Sequence, residues 1–150
     1  MRAYPPDAEV FQAAVDPYTS EGKGELVYNL AKVNAAKYCL CLCDFWGGAS
    51  NELMAELVTM ITGDEWTAED IDKLGENVIN IARAFNQREG FNRKDDQVPK
   101  RIVRDALATG PAAGQFIPQE AFDDMLSQYY AVLGWDENGM MPEELIKSVL

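Results

Sequence analysis

A chain of 150 residues, 47% hydrophobic and 25% charged, has the size and composition of one folded domain and excludes disorder as a description of the whole. The 13 Lys and Arg against 25 Asp and Glu leave a formal net charge of −12, which repels phosphate backbones and anionic lipid and argues against nucleic-acid and membrane partners. The sequence contains no histidine, which removes the commonest general base, the usual zinc ligand and any Ser-His or Cys-His nucleophile pair together.

Residues 1–20 are rich in Pro, Asp and small side chains and read as an extended lead-in, with one turn over 9–15. A Pro pair and acids stand at the start, where a secretory signal needs an apolar stretch. No apolar run approaches the roughly 20 residues of a membrane-spanning helix, so the expected location is cytoplasmic. From Ser20 the pattern turns helical, with Leu26, Leu30, Val33 and Lys37 at steps of three and four. One long helix over 21–46 is expected, ended by Gly47-Gly48.

Ser50 caps a second helix that stops at Gly63. Thr67 with Asp70 resembles a capping box, and the helix it opens carries the clearest stripe in the chain: Ile71, Leu74, Val78, Ile81 and Phe85. Gly90 ends it. Pro99 opens a short helix, and residues 108–118 form a loop by their Gly and Pro content. Phe122, Met125, Leu126, Tyr129 and Leu133 mark the next helix after Pro118. A turn over 134–142 leads to a last short helix from Pro142. Strand-like alternation of useful length is not found, so the fold class is all-α: a single irregular helical domain of five or six helices over 1–150. Each stripe predicts packing within the chain or against a partner.

The unusual constellation is Cys39, Cys41 and Cys43 at every second position. On a helix Cys39 and Cys43 share a face and Cys41 points away, so the three thiolates do not converge unless the helix unwinds. Zinc normally takes four ligands, and neither a fourth Cys nor a His is present. From the residues alone these are expected to be buried, inert thiols that pack like small hydrophobes, ahead of independent metal binding by the three. The carboxylates Asp44, Glu52, Asp95-Asp96 and Asp123-Asp124 read as solvated. The Asn92–Asp96 run reads as a tie between a loop and a neighbouring helix. Trp46, Trp66, Trp135, Tyr129 and Tyr130 read as packing anchors.

Four segments in order carry a resemblance: DPYTSEGKGELV at 16–27, LCLCDF at 40–45, the Thr-Gly, Trp, long-helix and Arg-Lys-Asp-Asp pattern over 61–101, and LSQYYAVLGWDENGMMPEELIKSVL at 126–150. Together they resemble the C-terminal region of tungsten-containing aldehyde:ferredoxin oxidoreductases. The resemblance implies a helical portion of an enzyme that oxidises an aldehyde with water to a carboxylic acid and passes electrons to ferredoxin. In that family a tungstopterin does the chemistry and a 4Fe-4S cluster takes the electrons. Three cluster cysteines lie upstream in a Cys-x-x-Cys-x-x-x-Cys motif, and the fourth lies in this region.

Cys43 matches the fourth ligand and Leu42 the residue beside the pterin, in a family motif Asp-x-x-Gly-Leu-Cys. Cluster irons are normally held by four cysteines, so a thiolate suits the position. Tyr38 stands at the family's Asp and Cys41 at its Gly, where a side chain is added at a close backbone approach. No catalytic residue is implied within the chain. Alone it is expected to bind no cofactor and to be inactive, requiring a pterin-binding domain or subunit. Ferredoxin would be met through the complete enzyme. The surface left bare would otherwise be hidden by self-association. The competing reading, which Tyr38 and Cys41 favour, is a non-catalytic helical interaction domain or subunit derived from the same family.

Overall fold

A computed structural model of the chain describes residues 16, 18–43, 45 and 49–149. The turn expected over 9–15, the stop at Gly47-Gly48, Asp44 and Trp46 therefore lie outside the described residues. Within them are six helices and no strand: α1 (Lys23–Cys39), α2 (Asn51–Thr62), α3 (Ala68–Arg88), α4 (Lys100–Arg104), α5 (Gln119–Leu133) and α6 (Glu143–Val149). The all-α reading holds.

Local chemistry sets most of the boundaries where the sequence puts them. Ser50 Oγ accepts from the Leu53 amide at 3.2 Å to start α2, and Gly63, at φ 81°, ends it. The Thr67–Asp70 capping box is complete: Thr67 Oγ1 accepts from the Asp70 amide at 3.3 Å, and Asp70 Oδ2 accepts from the Thr67 amide at 2.9 Å. That hydroxyl and the Thr67 amide hold the Asp70 carboxyl below its ordinary range. Pro99 and Pro118 precede α4 and α5, where a missing amide proton costs nothing.

The long helix expected over 21–46 is corrected. α1 begins after Gly22 and stops at Cys39. Beyond it the Cys41 amide donates to the Tyr38 carbonyl at 3.1 Å and the Leu42 amide to the Lys37 carbonyl at 2.9 Å. That pair of bonds is a Schellman termination. Its cause is the spacing of Leu40 and Leu42: two residues apart on a helix they would point to nearly opposite sides. By turning, the chain packs both against the cluster of Ala36, Met54, Ala55 and Ile71.

This cluster is one of two cores. The other gathers Tyr28, Ala84, Tyr130, Leu133, Trp135 and Met141, with α6 packed on it through Leu145, Ile146 and Val149. α1 and α3 run through both and touch each other closely. A Cβ at Gly75 would collide with the Lys32 carbonyl, so that helix crossing requires glycine.

Only the first half of the α3 stripe packs within the described residues. Ile71 is fully buried and Leu74 partly so, but Ile81 is 44% and Phe85 56% exposed. Toward its C-terminus α3 buries Asn80, Arg83 and Ala84 instead. The reason is a change of neighbours: α2 and α1 cover the first half, and α6 with the turn ahead of it meets the second half from another side. α4 buries no residue, and Leu107 and Ile117 are held by backbone bonds to Gln115 and Ile102.

The candidate cofactor-facing turn

Three helices end in the same pair of hydrogen bonds. After α3 the amides of Gly90 and Phe91 reach the carbonyls of Gln87 and Asn86, and after α5 those of Gly134 and Trp135 reach Ala131 and Tyr130. Gly90 and Gly134 take the left-handed conformation this turn demands, at φ 92° and 69°. After α1 the equivalent residue is Cys41, at φ 56°, and it is the one residue other than glycine with a positive φ among the described residues. The backbone thus keeps a glycine-type conformation at a position that carries a thiol.

The alternation Leu40-Cys41-Leu42-Cys43 now acquires a meaning. The leucines turn inward, and Cys39, Cys41 and Cys43 are all exposed free thiols. The expectation of buried cysteines is overturned: Cys39, the last residue of α1, and the two beyond its end all lie at the surface. Leu42 is half-buried against the core, and the chain leaves it with Cys43 at the surface. Among the described residues no group of three or more His, Cys, Asp or Glu side chains is placed to hold a metal ion. What the turn offers is exposed single sulfur donors, and cluster irons are held by cysteine sulfurs supplied one per corner.

A groove adjoins the turn. It is lined by Ala31, Asn34, Ala35, Tyr38 and Cys39 of α1 and by Val78 of α3. Tyr38, which replaces the acid of the resembled motif, is 59% exposed there.

The remaining polar cluster is structural. Arg83, 6% exposed, donates from Nε to the Gly139 carbonyl at 2.7 Å and pairs through Nη1 with Asp96 at 2.8 Å. Its guanidinium lies over Trp135 at 5.0 Å and Tyr130 at 5.7 Å, so the flat cation is enclosed by rings as well as by acceptors. Nη2 has no hydrogen-bond acceptor among the described residues and packs where a Cβ on Gly139 would fall, beside the Tyr130 ring. Tyr130 Oη donates to Asp96, and Trp135 Nε1 to Asn80 Oδ1 at 3.1 Å. Burial first, and then the bond to Asp96, pushes the Tyr130 phenol up. Arg93 donates to the carbonyls of Asp123 at 2.8 Å and Glu137 at 3.2 Å. The Asn92–Asp96 run therefore ties its loop to α3, α5 and the following turn, as the sequence suggested. The anchoring role of Tyr130 and Trp135 is borne out; the buried Arg83 was not foreseen, since the residues that enclose it lie outside its helix, from Asp96 to Gly139.

Comparison with known proteins bears on the whole chain. The family model for aldehyde ferredoxin oxidoreductase, domains 2 and 3, matches residues 1–149. The tungsten-containing aldehyde ferredoxin oxidoreductase of Pyrococcus abyssi is 32% identical over 120 residues, covering 79% of this chain and 19% of that protein. Its counterpart in Pyrococcus furiosus is 32% identical over 111 residues, 73% of this chain and 18% of that one. The aliphatic sulfonate oxidoreductase, WOR-like subunit, of Pyrococcus furiosus is 27% identical over 114 residues. The chain spans about a fifth of the length of these relatives.

Proposed function

The chain belongs to the aldehyde ferredoxin oxidoreductase family, and we propose that it forms the C-terminal helical portion of an enzyme that oxidises aldehydes to carboxylic acids with ferredoxin as electron acceptor. In this reading the Cys43 thiolate is one ligand of a 4Fe-4S cluster, and Leu42 lies beside a tungstopterin. Aldehydes are preferred to sulfonates because the more similar relatives bear that name. One observation carries the reading. Cys41 holds the left-handed conformation at the position where the family has glycine, so the turn that aims Cys43 outward is kept although the glycine is gone.

When bound, the tungstopterin would supply the two-electron oxidation and the cluster the one-electron relay to ferredoxin. The chain's own part is positional. Leu40 and Leu42, anchored on the core, fix where the backbone leaves α1, and Cys43 follows as an exposed donor whose proton can pass to solvent as the thiolate forms. The other ligands and the pterin-binding residues would come from a further domain or subunit, which is why the chain by itself would be inactive.

The test is Cys43→Ala in the assembled enzyme. Iron content and visible absorbance should fall to background, while Cys39→Ala and Cys41→Ala keep both. Full iron in the Cys43 variant would sink the assignment. The second reading, a non-catalytic interaction domain of the same family, draws on Tyr38: a phenol, mostly exposed, stands where the family's carboxylate belongs. It predicts assembly with a partner but no iron that depends on Cys43.

A further inference from the structure

The α3 stripe of Ile71, Leu74, Val78, Ile81 and Phe85 is one apolar line, yet only its first half is covered by the described residues. Ile71 is fully buried, whereas Ile81 and Phe85 are 44% and 56% exposed. At Val78 the line enters the groove whose other wall is Ala31, Ala35, Tyr38 and Cys39 of α1. None of the described residues lining that groove is charged, on a chain of net charge −12. The strip contains aromatic rings and meets charge only at its far end, where the Arg88 guanidinium lies over Phe85 at 4.9 Å; that is the composition of an interface core with a charged rim.

We propose that this face, from Tyr38 and Cys39 across Val78 to Ile81 and Phe85, is where the part of the family polypeptide that this chain does not span docks. The inference rests on the family reading above and adds the place of contact. Two observations select this occupant over a second copy. The relatives carry about four fifths of their length beyond the matched region, and the groove ends at Cys39, four residues before the outward thiol of Cys43. Any body that brings further ligands to Cys43 therefore approaches beside this face. Pairing of two copies would instead bring together two chains that each carry a net charge of −12.

The probe is the Pyrococcus furiosus tungsten-containing aldehyde ferredoxin oxidoreductase with its matching segment exchanged for this chain. Alkylation of Cys39 by iodoacetamide, resolved by mass spectrometry, is compared between the isolated chain and this chimera, and it should slow at least tenfold in the chimera. Ile81→Lys with Phe85→Glu should abolish the soluble, folded chimera. Met60→Lys with Ile61→Lys, equally drastic at residues 74% and 83% exposed on α2, should leave it intact. Equal alkylation rates, normal assembly of the Ile81/Phe85 variant, or a chimera that never assembles would each overturn the proposal. So would a dimer of the isolated chain that Ile81→Lys dissolves, since it would give the face to a second copy. Cys43→Ala separates the two claims: lost iron with Cys39 still protected supports both, and retained iron with Cys39 protected removes the ligand role while the docking face stands.

Discussion

A side chain in the left-handed region costs about 1–2 kcal/mol, and Cys41 bears that cost at the end of α1. Cys41→Gly should therefore stabilise the chain by about 0.5–1 kcal/mol, after allowing for the extra freedom glycine gains when unfolded; an unchanged or lower urea midpoint would contradict it. The sequence did contain the signal for this turn. Leucines and cysteines alternate from 39 to 43, a period of two that no helix satisfies, but the pattern is short and follows a long helical run, so the helical periodicity prevailed. Tyr130 gives a second expectation. Its phenol is raised by burial and by the Asp96 carboxylate, so the folded state holds the proton more tightly than the unfolded chain. The stability this represents is intact below about pH 10, the ordinary tyrosine value, and is lost as pH rises toward the raised folded value. Denaturation midpoints should fall above pH 10, and Tyr130→Phe should make that fall shallower.

At the scale of elements, the helices whose ends rest on local chemistry were legible. Ser50 and Gly63 bound α2, Thr67 and Gly90 bound α3, and the prolines at 99, 118 and 142 precede α4, α5 and α6. What could not be read was which face each helix buries, because that depends on neighbours distant in the chain. Arg83 is the clear case. It sits inside α3 because Asp96, Tyr130, Trp135 and Gly139 converge on it. Arg83→Ala should cost about 3 kcal/mol, the low end for breaking a buried pair, since Asp96 keeps 28% of its side chain in solvent. Gly75→Ala should cost a similar amount, about 3 kcal/mol, by forcing α1 and α3 apart. Both are read from urea denaturation monitored by helical circular dichroism.

For the whole molecule, composition and charge allow a folded acidic domain, and the structure adds that this domain leaves several large apolar side chains uncovered. Phe45, Ile81, Phe85, Leu107 and Phe116 are all at least 44% exposed. Its three thiols are exposed as well, so Ellman's reagent should titrate three per chain without denaturant; fewer than three would return them to the buried class first expected. The contact at Gly75 reaches further than its own crossing. From Lys32, where the two backbones meet, α1 extends about 10 Å to Cys39, and a ten-degree change in its inclination would swing that end by about 2 Å. A methyl group added at residue 75 would thus act as a wedge under a lever, displacing the sulfur at 43 without touching it. On the role proposed for Cys43, such a lesion would present as faulty iron loading in the assembled enzyme, although its origin lies in how closely two helices cross.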